Sequence, residues 1–107
     1  MSNQDHQTEP IRSAFADDPD MAELVEMFVS EIPNRIGELE QHYETSDVKQ
    51  IRVIAHQLKG AGGGYGFDEL SDVAARLERQ IDASPDDIDA IRAEFDDLVT
   101  LCRRVCI

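Results

Sequence analysis

The sequence predicts an all-α protein, an antiparallel up-down-up-down four-helix bundle with a short N-terminal extension. Three observations carry that prediction. Apolar residues recur at spacings of three and four in four separate segments, the repeat of an amphipathic helix. No segment alternates with the period of two that a half-buried strand needs. Short loops of turn and cap residues join the segments. A length of 107 residues with 41% hydrophobic content suits one domain over 1–107, with residues 1–16 as the extension and 17–105 as the bundle.

The extension is mostly polar, and its apolar residues Ile11 and Phe15 are expected to fold back on the bundle edge. Asp18-Pro19 reads as an N-cap followed by proline at the first helical position. From there Met21, Leu24, Val25, Phe28, Ile32, Ile36, Leu39 and Tyr43 mark a helix reaching about Glu44. Pro33 lies inside it and removes one backbone donor, which predicts a kink and not a break. Thr45-Ser46-Asp47 supplies a turn and a cap for the second helix, whose inner stripe is Val48, Ile51, Ala55, Leu58 and Gly62. Tyr65-Gly66 closes it, because glycine can take the positive φ that ends a helix. Leu70, Val73, Ala74, Leu77 and Ile81 define a third helix ending near Ala83. Ser84-Pro85 repeats the cap-and-proline signal before a fourth that buries Ile88, Ile91, Phe95, Leu98, Val99 and Cys102.

Composition excludes several classes of function. Ten basic against 23 acidic residues give a formal charge of −13, the wrong sign for a phosphate backbone or an anionic membrane. The polar start MSNQDHQTEP lacks a signal-peptide core, and no apolar run is long enough to cross a bilayer, so a cytoplasmic location is expected. Cys102 and Cys106, four apart in a helical pattern, read as small buried hydrophobes poorly aimed for a disulfide and without further metal ligands nearby.

One stretch resists a purely structural reading. AHQLKGAGGGYG, from Ala55 to Gly66, sets His56, Lys59 and five glycines where the pattern says helix. Each glycine costs roughly 1 kcal/mol against alanine in a helix interior. Counting threes and fours from His56 gives a face of Lys49, Arg52, Lys59, Gly60 and Gly63, turned away from the Ile51–Ala55–Leu58 stripe. The imidazole should therefore point to solvent beside a surface made bare by Gly60, Gly63 and Gly64. Such a surface lets another protein come close, and a lysine there can meet a phosphoryl oxygen. Gly62 falls on the inner stripe, where close helix packing accounts for it.

Other chemistries fit less well. A Walker loop needs its lysine after the glycines, whereas Lys59 precedes them, and no register matches G-x-G-x-x-G after a strand. His56 has no nucleophile elbow to serve. His6, in the polar tail, and His42, late on the first helix, lack a lysine three residues on and read as solvated.

The run His56-Gln57-Leu58-Lys59-Gly60, with Ala55 before it and Gly66, Leu70 and Leu77-Glu78 after it, resembles the histidine-containing phosphotransfer (HPt) domain family over about residues 15–105. The resemblance implies a free-standing phosphorelay carrier that is not itself an enzyme. His56 would accept a phosphoryl group on Nε2 from a receiver-domain aspartyl phosphate and pass it to another receiver aspartate. Lys59 would steady the phosphoryl oxygens, Gly60 would leave room for receiver loops, and the Glu78 carboxylate would contact Nδ1. Arg52, Gly63 and Gly64 would belong to the partner-facing surface. The implied partners are receiver domains of response regulators and a hybrid sensor kinase, with no nucleic acid, membrane or small-molecule substrate. No cofactor is expected beyond the Mg²⁺ of the receiver's own pocket, and a monomer is expected. The basic run Lys49, Arg52 and Lys59 would offset the acidic surface locally. Met27 or Val29, in an apolar run wider than one stripe needs, would join the docking patch. The competing reading is a helical interaction adaptor whose histidine is chemically silent.

Overall fold

The computed structural model describes residues 9–106. Four α-helices, α1 (Ala22–Glu44), α2 (Val48–Gly64), α3 (Asp68–Ala83) and α4 (Arg92–Cys102), enclose one apolar core. Two short strands, β1 (Ile11–Arg12) and β2 (Val105–Cys106), flank them in sequence.

Helix α1 begins a turn later than Asp18-Pro19 predicts. Asp18 closes a local turn instead: its side chain accepts the Asp20 N–H at 2.9 Å and its carbonyl accepts the Met21 N–H at 3.0 Å. A short acidic side chain can bond the backbone two residues on as readily as it can cap a helix. The helix then runs unbroken through Pro33. Val25, Ile32 and Leu39, two turns apart, form its buried line, and Phe28, Ile36 and Tyr43 pack half-buried beside them. Leu24, assigned to the inner stripe from spacing, is 44% exposed and stands off that line.

Helix α2 follows its expected course. The Asp47 side chain accepts the Gln50 N–H at 3.3 Å, and Val48, Ile51, Ala55, Leu58 and Gly62 face inward, joined by Ile54. Its end is a Schellman closure: Gly66 has φ +86°, Phe67 N–H reaches the Gly62 carbonyl at 2.7 Å, and Gly66 N–H reaches Gly63 at 3.5 Å. The chain turns straight into α3, whose Leu70, Val73, Ala74, Leu77 and Ile81 are buried. A β-carbon on Gly62 would lie 3.2 Å from the Ser71 nitrogen and 3.3 Å from the Phe67 carbonyl oxygen, so its smallness sets how closely α2 and α3 approach.

Helix α4 also starts late. Ser84-Pro85 belongs to a turn in which Asp87 accepts the Asp89 and Ala90 N–H groups at 3.1 and 3.2 Å. A single 3₁₀ turn, Asp89–Ile91, leads into the helix, and Ile88 is only half-buried. The helix stops at Cys102, so Cys106 lies on a strand and not on the same helix. Both thiols are free, Cys102 buried and Cys106 half-buried, and burial pushes the Cys102 thiol up to about 12.

The absence of any strand, expected from the sequence, is corrected. β1 pairs in parallel with β2, Ile11 against Val105 and Arg12 against Cys106. Two residues per strand are too few to register as an alternating pattern. Ser13 continues this strap: buried, it donates to the Tyr65 carbonyl at 2.6 Å and accepts the Phe15 N–H, while the Ala14 N–H reaches Gly66 at 2.8 Å. Ile11 packs on the core as expected, whereas Phe15 lies against Gly66 with much of its ring exposed. His42 is half-buried and so only partly solvated, and His6 lies outside the described residues. Among the described residues no helix is long and apolar enough to cross a membrane.

Candidate functional site: the outward face of helix α2

Because Ile51, Ala55 and Leu58 take the core side of α2, His56 is left on its outer face with a side chain 64% exposed. Leu77 is buried on α3, and its neighbour Glu78 sits at the seam between α2 and α3, where it is 6% exposed. The structure brings three nitrogen-bearing side chains to that one carboxylate. His56 Nδ1 lies 2.8 Å from Oε2, Lys59 Nζ 2.8 Å from Oε1, and Arg52 Nη2 3.3 Å from Oε2. Arg52 is itself forked onto Asp82, with Nε 2.7 Å from Oδ1 and Nη2 3.1 Å from Oδ2.

These contacts fix the chemistry of the ring. The hydrogen bond from Lys59, with that from His56, holds the Glu78 carboxyl below its ordinary range against the opposing effect of burial. An ionised carboxylate can only accept, so Nδ1 carries the hydrogen and donates it. In the neutral ring the lone pair then belongs to Nε2, the ring nitrogen not bonded to Glu78, on a side chain that is largely exposed. The result is an oriented, exposed imidazole with an anion behind it.

The glycines divide by role. A β-carbon at Gly60 or Gly64 would meet nothing within 4 Å, so both leave open surface beside the ring. Gly63 is exposed but sits over Ser71, whose Oγ would be 3.5 Å from a β-carbon there. That Ser71 Oγ donates to the Lys59 carbonyl at 2.7 Å and ties the histidine-bearing turn of α2 to α3. Neither Ser71 nor Asp82 is singled out by sequence reasoning; a lone serine on an amphipathic helix gives no motif, and an acid among so many gives no contrast.

The basic run is less bare than its spacing suggests. Lys59 and Arg52 each face an acid, and Lys49 is exposed on the turn before them. A groove of about 320 Å³ opens beside the histidine between α1 and α2, lined in part by Leu24, Met27, Phe28, Gln57, Ala61 and Tyr65. Met27 is 62% exposed at this groove, whereas Val29 packs half-buried against the core and is not among its lining residues. Among the described residues no cluster of three or more His, Cys, Asp or Glu side chains is placed to hold a metal ion.

A family model for the Hpt domain matches residues 23–101, from the first turn of α1 to the last of α4. The chain belongs to the Hpt domain family. No curated protein and no solved structure gives a significant match. Hpt domains take part in phosphorelay signalling with receiver domains, and a phosphotransfer role for this one follows. The strap formed by β1 and β2 lies outside the matched residues.

Proposed function

We propose that this Hpt domain is a phosphohistidine carrier in which His56 takes a phosphoryl group from one receiver aspartate and delivers it to another. The Nδ1–Glu78 hydrogen bond on an exposed ring carries the reading, because it leaves the Nε2 lone pair facing outward. In the transfer, that lone pair forms the new N–P bond while the P–O bond of the aspartyl phosphate breaks. The electron pair of the broken bond returns to the aspartate carboxylate. The ring becomes cationic and keeps its Nδ1 proton, and Glu78 offsets the charge. Lys59, beside the ring, moves from Glu78 to the incoming phosphoryl oxygens. Gly60 and Gly64 admit the receiver's loops, and Met27 with Leu24 offers apolar surface next to them.

On this reading the protein acts as half of a composite site and needs neither ATP nor a metal of its own. The Mg²⁺ that supports transfer belongs to the receiver's acidic pocket. A hybrid sensor kinase and a response regulator would be the donor and acceptor, and the cytoplasm the compartment.

The test mixes a phosphorylated receiver with the wild-type chain and, separately, with His56→Gln. Label should appear on the wild type alone and should be acid-labile and base-stable. Wild type that stays unlabelled against a broad receiver panel would favour an adaptor with a silent histidine. Labelling by ATP alone would contradict the carrier reading.

A further inference from the structure

Arg52 and His56 stand one turn apart on α2, and Glu78 and Asp82 one turn apart on α3. Two rungs join the helices, His56 to Glu78 at 2.8 Å and Arg52 to Asp82 at 2.7 and 3.1 Å. A diagonal crosses them, because Arg52 Nη2 is also 3.3 Å from Glu78 Oε2, the same oxygen that takes the Nδ1 proton. Two donors therefore compete for one oxygen. A guanidinium matches a carboxylate with a pair of parallel bonds, a geometry the imidazole cannot offer. In this structure that pair is given to Asp82.

We propose that Asp82 is a positioning residue for His56: by holding the Arg52 fork, it keeps the guanidinium from capturing Glu78 and leaves Oε2 to the Nδ1 proton. Without Asp82, the Arg52 guanidinium is free to turn onto Glu78 Oε2, which it already approaches at 3.3 Å. Nδ1 then loses its acceptor, and the ring mixes its two neutral tautomers. Asp82 itself touches neither ring nor phosphoryl group and acts only through Arg52. Both members of the pair are charged at neutral pH, since their mutual hydrogen bonds lower the Asp82 carboxyl and raise the Arg52 guanidinium. Lys59 stays on the other oxygen, Oε1, and does not enter the competition.

Unlike the loss of a purely structural residue, Asp82→Ala should be harmful only while Arg52 is present. The full chain, with ¹⁵N-labelled histidine, is compared at alkaline pH as wild type, Asp82→Ala and the double variant Arg52→Met/Asp82→Ala. The His56 signals are identified by their loss in His56→Gln, and the ratio of tautomers is read from the Nδ1 and Nε2 shifts. Wild type should be mostly protonated on Nδ1. Asp82→Ala should lower that ratio by about tenfold, the worth of one hydrogen bond to a charged group, and the double variant should restore it. An unchanged ratio in Asp82→Ala, or a double variant no better than the single, would overturn the proposal. Asp82 is exposed, so alanine there leaves the core intact.

The consequence for phosphotransfer rests on His56 being the acceptor. It is read with phosphoramidate, a small donor whose P–N bond breaks with its electron pair leaving on ammonia as Nε2 bonds phosphorus. The rate should fall in Asp82→Ala and recover in the double variant. A tautomer pattern that behaves as expected beside a wild type that accepts no phosphoryl group would refute the carrier reading and still uphold the role of Asp82.

Discussion

Lys59 Nζ lies 2.8 Å from Glu78 Oε1, so the lysine beside the exposed imidazole starts from a carboxylate and not from open solvent. Its hydrogen bond is the foremost cause of the lowered Glu78 carboxyl. In Lys59→Met the Glu78 carboxyl should titrate closer to its ordinary range, a rise that a carbon-detected NMR titration of the side-chain carboxyl would measure.

The same depression has a signature in stability. Because folding lowers the Glu78 carboxyl, its contribution is fully present above the ordinary carboxylate range and is lost as pH falls through the folded value. The gap in Tm between wild type and Glu78→Gln should be constant near neutrality and shrink on acidification. Melting curves across the acid range test this, and a gap that widened toward low pH would contradict it.

Glu78 should matter for rate more than for stability. Glutamine can still accept the Nδ1 proton through its carbonyl but loses the charge, and alanine loses both. Transfer from a phosphorylated receiver should therefore rank wild type above Glu78→Gln above Glu78→Ala. Each step is worth about tenfold, and both variants should keep a cooperative melt.

Gly60 and Gly62 separate access from packing. Gly60→Gln should cut transfer by about tenfold or more by displacing the docked partner, while Tm holds or rises because glycine is a poor helix former. Gly62→Ala should do the reverse, lowering Tm by crowding Ser71 and Phe67 backbone atoms with little effect on docking. Paired melts and transfer rates decide both.

The thiols give a probe of the core. With Cys102 buried and pushed up to about 12, alkylation of the native chain near pH 8 should label Cys106 first and Cys102 only after unfolding. Mass mapping of the labelled peptides distinguishes them.

Much of this architecture is legible without coordinates, and the exceptions have physical causes. The inward lines of α2 and α3 follow directly from apolar spacing, and Gly66 is legible as the helix end because only an αL-tolerant residue closes it so tightly. Helix starts at Asp18-Pro19 and Ser84-Pro85 are misread because cap residues also build turns, and both chains of polar residues choose the turn. The strap escapes notice because it depends on one buried serine and a two-residue ladder between segments far apart in sequence. At the site, the nearness of His56, Arg52 and Lys59 is readable from one helix, since helical period places them. Of the partners on α3, Glu78 for His56 is legible only through the family resemblance, and Glu78 for Lys59 and Asp82 for Arg52 are not legible at all, because which acid meets which base depends on the register between two helices. Gly62 and Ser71 set that register through contacts that leave no periodic trace.

The parallel pairing of Ile11 with Val105 brings the two ends of the described chain side by side, so the backbone traces nearly a closed loop. A linker of a few residues, each spanning about 3.3–3.6 Å when extended, is long enough to join them. New ends opened in the Ser84–Asp87 turn would then yield a circular permutant in which α2 and α3 remain contiguous, histidine and glutamate on the same uninterrupted hairpin.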